Sequence, residues 1–445
     1  MTQSITAAFP VLARLHAAAK RDSRLCFNNL MHPITEVMLA HAYRALNRKA
    51  ATGIDGVDWK SYGEQLAPKL NDLCHRLHTN RYRPQPVKRV WIPKDNGVLR
   101  PIGITTLEDK IVQQALVWVL ESIYENDFVG FSYGFRPNRN QHGALDAVYM
   151  AITTKKVSWV LDADIQGFFD NINHDWLMKF LEHRISDPRV LRLLKLTLTA
   201  GVMDQGCKSK TVVGTPQGAV ISPLLGNIYL HYVLDLWVDQ WRQRHARGEV
   251  YVVRYADDSV YCFQYRSDGE RFLKALNGRL AKFNLNLNLT KTHLIEFGRF
   301  AESNRDERGE GKPHTFEFLG FTHICSRRRS DDGFNLLRKT ISKRQRQTLN
   351  SIKVMLKKTY HERPVVVGGR LKVILQGYFN YYAVPGNLIV LDGFRTAVIR
   401  LWIKAMRRRS QRGQSVPWRN FARLIALFIP KVRAVHPYPN QRWRV

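Results

Sequence analysis

Apolar residues recur at helical spacing over about 34–48, 62–79, 106–126 and 141–155, so the first 150 residues read as mainly helical. One stretch breaks that period. Tyr82–Pro101 is punctuated by prolines at both ends and centred on Asp95-Asn96-Gly97, which predicts a β-hairpin. Further along, the two periods interleave. Strands are predicted at about 157–164, within the apolar run Val250–Phe263, and at Thr315–His323. Helices are predicted from Asn173 to about 186, at 189–200, at 223–246 and at 268–283. The polar segment Ser303–Lys312 predicts an exposed loop. The tail is helical again, over about 336–360, 368–382, 388–411 and 417–427. Strands interleaved with helices imply an α+β fold, a sheet with helices on one face.

The 445 residues are 44% apolar, the composition of a globular chain with room for two or three domains. No run of 18 or more apolar residues occurs, which argues against a membrane-spanning helix. The first ten residues do not read as a secretory signal. Five scattered cysteines, with no Cys-x-x-Cys pair, argue against a zinc site or a disulfide framework and imply reduced thiols in a cytoplasmic protein.

Charge changes the picture more. Lys and Arg number 69 against 37 Asp and Glu, a net of +32. Residues 321–445 hold 27 of those cations and only 4 acids. A nearly balanced body followed by a strongly basic region calls for a polyanionic partner, nucleic acid or an anionic membrane surface.

Against that background, Tyr255-Ala256-Asp257-Asp258 stands out inside an apolar run. Adjacent carboxylates there are costly unless a cation neutralises them. Neighbouring strand residues point to opposite faces, so a tight turn must present both acids to one ion. A third acid, Asp164, ends the strand predicted at 157–164; Asp162 is a geometric rival on the same face, and Asp170 can cap the following helix. Gly214-Thr-Pro-Gln-Gly-Ala-Val-Ile-Ser-Pro223 predicts a rigid turn that a nucleotide or template could approach closely.

The ordered series Gly53-Ile-Asp-Gly56, Arg100-Pro-Ile-Gly-Ile104, Phe131-Ser-Tyr-Gly-Phe-Arg-Pro137, Asp164-Ile165, Pro216–Pro223, Tyr255–Asp258, Asn288-Leu-Thr-Lys291 and Phe318-Leu-Gly-Phe321 resembles bacterial group II intron-encoded reverse transcriptases and maturases. The match continues through Gly377-Tyr-Phe-Asn-Tyr-Tyr382 and His436-Pro-Tyr-Pro439. The resemblance implies a right-hand polymerase: an N-terminal extension (1–50), reverse transcriptase fingers and palm (51–325) and a helical basic thumb or maturase region (326–445); many relatives continue into an endonuclease domain, and none is expected in this sequence. It implies that Asp164, Asp257 and Asp258, with the Ile165 carbonyl, hold two Mg²⁺ ions for nucleotidyl transfer from dNTPs. Lys94, Arg100, Phe169, Gln217 and Lys291 would contact the nucleotide, Phe169 by blocking a ribose 2′-hydroxyl. Phe318, Leu319 and Gly320 would form a primer grip. Arg136, Asn138, Arg139, Arg338, Lys339, Lys343, Arg344, Arg346, Arg407, Arg408 and Arg409 would contact RNA. The implied partners are group II intron RNA, an RNA template with its DNA primer, and target DNA, in a bacterial, nucleoid-associated setting and away from membranes. Two other functions fit the same motifs: a splicing cofactor with an idle polymerase site, and a reverse transcriptase recruited for defence or repair.

Overall fold

The computed structural model describes residues 8–93, 99–204, 207–209, 213–328, 330–409 and 418–442. Lys94 and the Asp95–Gly97 turn lie outside them. Eleven strands occur among the described residues: β1 (Val87–Pro93), β2 (Leu99–Ile104), β3 (Trp159–Asp164), β4 (Val202–Asp204), β5 (Cys207–Ser209), β6 (Val250–Tyr255), β7 (Asp258–Phe263), β8 (His293–Glu296), β9 (Phe316–Phe318), β10 (Phe321–Arg327) and β11 (Phe334–Thr340). They form three sheets, in the orders β2-β1-β4-β5, β6-β7-β3-β8 and β11-β10-β9. Helices outnumber strands in residues, so the α+β expectation holds.

The β6-β7-β3-β8 sheet is antiparallel throughout and separates two cores. Strand alternation sorts its side chains. Leu161, Ala163, Tyr261 and Phe263 face a large helical core. Val160, Val260 and Cys262 face the second core, shared with the β9–β11 sheet and the C-terminal helices. Asp162, Asp164 and Asp258 keep step with that second set, so the acids emerge where its apolar packing ends.

The helix Leu107–Tyr124 is the spine of the first core, with 15 of its residues buried. Thr106 caps it by accepting from the Asp109 N–H, and acids fill its first turn, where the helix dipole favours negative charge. Helices Pro10–Arg21 and Glu36–Ala45 pack across it. Ser222–Leu230 and Leu236–Arg244 form one continuous rod interrupted by a π turn at His231–Asp235, within the single helix predicted at 223–246.

Three sequence expectations change. The helix predicted from 336 begins at Ser342; the preceding residues form β11, paired with β10 from Phe321↔Thr340 to Arg327↔Phe334. Leu336, Arg338 and Thr340 alternate into the interior, and the free edge of β10 decides between two periods that the local pattern fits equally well. Because β10 and β11 share a sheet, the expected boundary at 325/326 falls inside a strand. Ser303–Glu307, the first part of the expected loop Ser303–Lys312, belongs to a short, largely exposed helix, Ala301–Glu307.

The C-terminal segment folds back onto the body. Val435 and His436 donate their N–H groups to the Ala383 carbonyl, His436 stacks on His142 with ring centroids 3.6 Å apart, and Arg442 pairs with Asp146 at 3.1 Å.

Candidate active site

Strands β6 and β7 are joined by the two-residue turn Ala256-Asp257, with Tyr255 paired to Asp258. Ala256 adopts a left-handed φ of 57°, the backbone that such tight hairpins require. Two features beneath the turn sustain it. Gly134 packs so closely that an added Cβ would lie 2.3 Å from the Ala256 nitrogen. Arg254, fully buried, donates to the Ala256 carbonyl at 2.8 Å, to Asp235 at 2.7 Å through Nε, and to Ser132 Oγ at 2.7 Å. Asn227 completes this platform by accepting from Arg254 and donating to the Gly134 carbonyl at 2.7 Å. The Asp235 partner comes from the π turn, a distortion that recurs at functional positions. The sequence reading missed this platform; its signal was a lone arginine within an apolar strand.

The turn delivers Asp258 directly opposite Asp164 in the β3–β7 register. Asp258 opens onto solvent at the turn yet is pushed up to about 6, first by the protein mass crowded around its carboxylate and then by Asp257 and Asp164. Asp257 is also raised, chiefly by burial. Asp162 lies two residues deeper on the same face and rises to about 7, again from burial first and Asp258 next. Like charges at facing positions repel, so this wall favours a cation. Asn288 Nδ2 and Lys291 Nζ supply part of that need, reaching Asp164 Oδ2 at 3.1 and 2.9 Å. The bond to Asp164 raises the Lys291 pKa and keeps the ammonium charged. Among the described residues no three acidic, His or Cys side chains already gather around one point. The carboxylates line a wall, and the anionic oxygens with raised proton affinity fit a hard divalent ion. Ile165 is buried and bridged to Leu287; the flanking bonds run from Gln166 N–H to the Asn286 carbonyl and from Asn288 N–H to the Asp164 carbonyl, and its own carbonyl takes no part in either.

Phe168, Phe169 and Asp170 form a single 3₁₀ turn after β3. Phe168 is buried, as expected of a core residue, while Phe169 stays half-buried with its ring against Gly226. The Gly214–Gly218 loop pairs with this turn through Thr215 N–H to the Phe169 carbonyl at 2.8 Å. Gly103 N–H binds the Gln217 carbonyl at 2.7 Å, which ties β2 to the same loop. Asp170 caps no helix: it accepts from the Gln217 side chain, and Asn173 caps His174–Glu182 instead. Arg100, on β2, reaches Gln217 Oε1 at 2.5 Å.

Phe318 and Phe321 pair across a turn in which Leu319 and Gly320 both have positive φ, 47° and 83°. Tyr381 OH donates to the Leu319 carbonyl at 2.7 Å. This turn, Arg344, Lys291, Asp162, Asp164 and Asp258 border one open groove of about 880 Å³.

Two expected RNA contacts are corrected. Arg136 is 6% exposed and forks onto Glu125 at 2.7 Å; Arg338 is 2% exposed and pairs with Asp146 at 2.8 Å. Both are interior ion pairs that hold segments together, without a free face for phosphate. Arg139 donates to the Gly130 carbonyl and stacks over Tyr133, half-buried, beside exposed Asn138. Lys339 is half-buried on β11, whereas Lys343, Arg344, Arg346, Arg407, Arg408 and Arg409 are exposed.

An α+β body with an acidic wall, flanking cations and an open groove defines a protein built for phosphate and polyanion chemistry. Residues 92–323, more than half of the chain, match the reverse transcriptase (RNA-dependent DNA polymerase) family, and the chain belongs to that family of RNA-directed DNA polymerases. It is 37% identical over 324 residues to Protein YkfC of Escherichia coli (strain K12), covering 64% of this chain and 84% of that protein. It is 41% identical over 180 residues to the group II intron-encoded protein LtrA of Lactococcus lactis subsp. cremoris, covering 40% of this chain and 30% of LtrA. A weaker likeness, 29% over 122 residues, links it to nuclear intron maturase 2, mitochondrial, of Arabidopsis thaliana, of which it covers 16%. The resemblance read from the motifs is thus borne out at the level of family.

Proposed function

We propose that the chain copies RNA into cDNA from a DNA primer, and that it binds group II intron RNA to assist splicing and mobility. The carrying observation is Asp164 facing Asp258 on one wall of a groove that Lys291 and Arg344 also border, with Asp257 next to Asp258 in the hairpin turn. Two Mg²⁺ ions at these carboxylates and the Ile165 carbonyl would supply Lewis-acid activation of the primer hydroxyl and charge neutralisation at the departing pyrophosphate.

The chain's own residues do the rest. Arg100 and Lys94 grip the triphosphate, with Gln217 beside the sugar and template. Phe169, backed by Gly226, leaves no space for a 2′-hydroxyl. The Leu319-Gly320 turn offers backbone to the primer strand, where a Cβ would crowd it. Lys291 balances Asp164 and remains a donor toward the leaving phosphates. In this reading residues 1–50 extend the fingers, residues from 51 through β11 make fingers and palm, and the basic helices beyond β11 form the thumb. Lys343, Arg344, Arg346 and Arg407–Arg409 hold the phosphates of template–primer or intron RNA, contacts that fix position and not sequence.

Primer extension on an RNA template with Mg²⁺ and dNTPs tests this reading. Wild type extends and Asp257→Ala does not. A wild type that binds RNA tightly but extends nothing would point to a splicing cofactor instead.

A further inference from the structure

One polar chain beside the acidic wall joins three segments far apart in sequence. Gln217 Nε2 donates to Asp170 Oδ1 at 2.9 Å and Oδ2 at 3.0 Å, while Gln217 Oε1 accepts from Arg100 Nε at 2.5 Å. A carboxylate only accepts, so Asp170 dictates which end of the amide turns toward Arg100. The chain is built on fixed backbone. The Asp170 N–H binds the Gly167 carbonyl at 3.0 Å, and Gly214, at φ 88°, approaches so closely that a Cβ would lie 2.8 Å from the Asp170 oxygen. Gly218, at φ 111°, allows β2 the same proximity, with a Cβ held to 2.9 Å from the Gly103 oxygen. The bond to Nε leaves both terminal nitrogens of Arg100 outside the chain.

We propose that Asp170 is a positioning residue for nucleotide binding: it sets the Gln217 amide, and the amide holds Arg100 ready for the triphosphate of an incoming nucleotide. The inference rests on reading the site as a polymerase centre. Asp170 itself touches no reacting atom; it acts through Gln217.

The test is a double-mutant cycle in primer extension. Asp170→Ala raises the KM for dNTP about fivefold, the factor of one net hydrogen bond, and leaves kcat within about twofold. Asp170→Asn, which keeps an acceptor, recovers part of the loss. In a Gln217→Ala background, Asp170→Ala adds nothing further. A second readout needs no nucleotide: the Arg100 Nε–H resonance of the free protein shifts in Asp170→Ala and in Gln217→Ala. Additive effects in an active enzyme, or an Arg100 resonance unmoved by Asp170→Ala, would overturn this inference alone. A wild type that extends no primer would overturn the polymerase reading beneath it.

Discussion

Asp164 and Asp258 stand directly opposite each other across the β3–β7 ladder, two carboxylates at paired positions, with Lys291 bonded to one of them. Facing like charges weaken a sheet, so the arrangement trades stability for a cation site.

The trade has a defined pH dependence. Asp258 shifts from 3.8 to about 6, so between those values the folded chain holds more protons than the unfolded one. Stability therefore falls as pH rises through that window, and the whole penalty applies above it. Asp258→Asn should melt higher than wild type at pH 8 without divalent ions, with the gap closing near pH 4, while extension is lost. Adding Mg²⁺ should raise the wild-type melting temperature and leave the variant's unchanged. Coincident melting curves at pH 8 would refute the argument.

The platform under the turn should be intolerant of truncation. Arg254 and Asp235 are 1% and 0% exposed, so removing either strands a buried charge. Asp235→Ala should cost about 3–5 kcal/mol in urea unfolding, the range for breaking a buried pair.

Gly134 gives a test of geometry without charge. Gly134→Ala forces the Ala256 backbone to move, and extension should fall at least about tenfold with the helical CD signal retained. Gly130→Ala, where a Cβ meets open space, is the matched control and should behave as wild type.

The corrected arginines separate binding from folding. Arg344→Ala and Arg346→Ala should weaken RNA binding and lower the salt slope by about one unit each, measured between roughly 50 and 200 mM salt. Arg338→Ala should instead lower the melting temperature, because its loss leaves buried Asp146 with Arg442 as its one remaining ion pair among the described residues. Equal salt slopes for all three would contradict this assignment.

Phe169 should govern sugar choice. Phe169→Ala opens the space beside Gly226, so incorporation of ribonucleotides relative to deoxynucleotides should rise, read from competing single-nucleotide extensions.

Much of the acidic wall was legible locally. A tight acidic turn between apolar strands and an acid at a strand end are short-range patterns, and the ordered motifs carried the family. Asn173 as a cap and the hairpin strands β1 and β2 were equally local. β11 was not, because Phe334–Thr340 fits two periods and only the edge of β10 chooses one. Arg136 and Arg338 looked like solvent-facing cations for the same reason: their partners, Glu125 and Asp146, come from other elements.

The kind of chemistry, the α+β class and the basic C-terminal region could be read from the residues alone, since each is written in residue type and short spacing. The tertiary structure alone decided which cations are free, what supports the Ala256-Asp257 turn, and that Asp170 meets Gln217 and Arg100. Those relations span up to 192 residues between Asp146 and Arg338. Burial and pairing depend on which surfaces meet, and no local pattern encodes that.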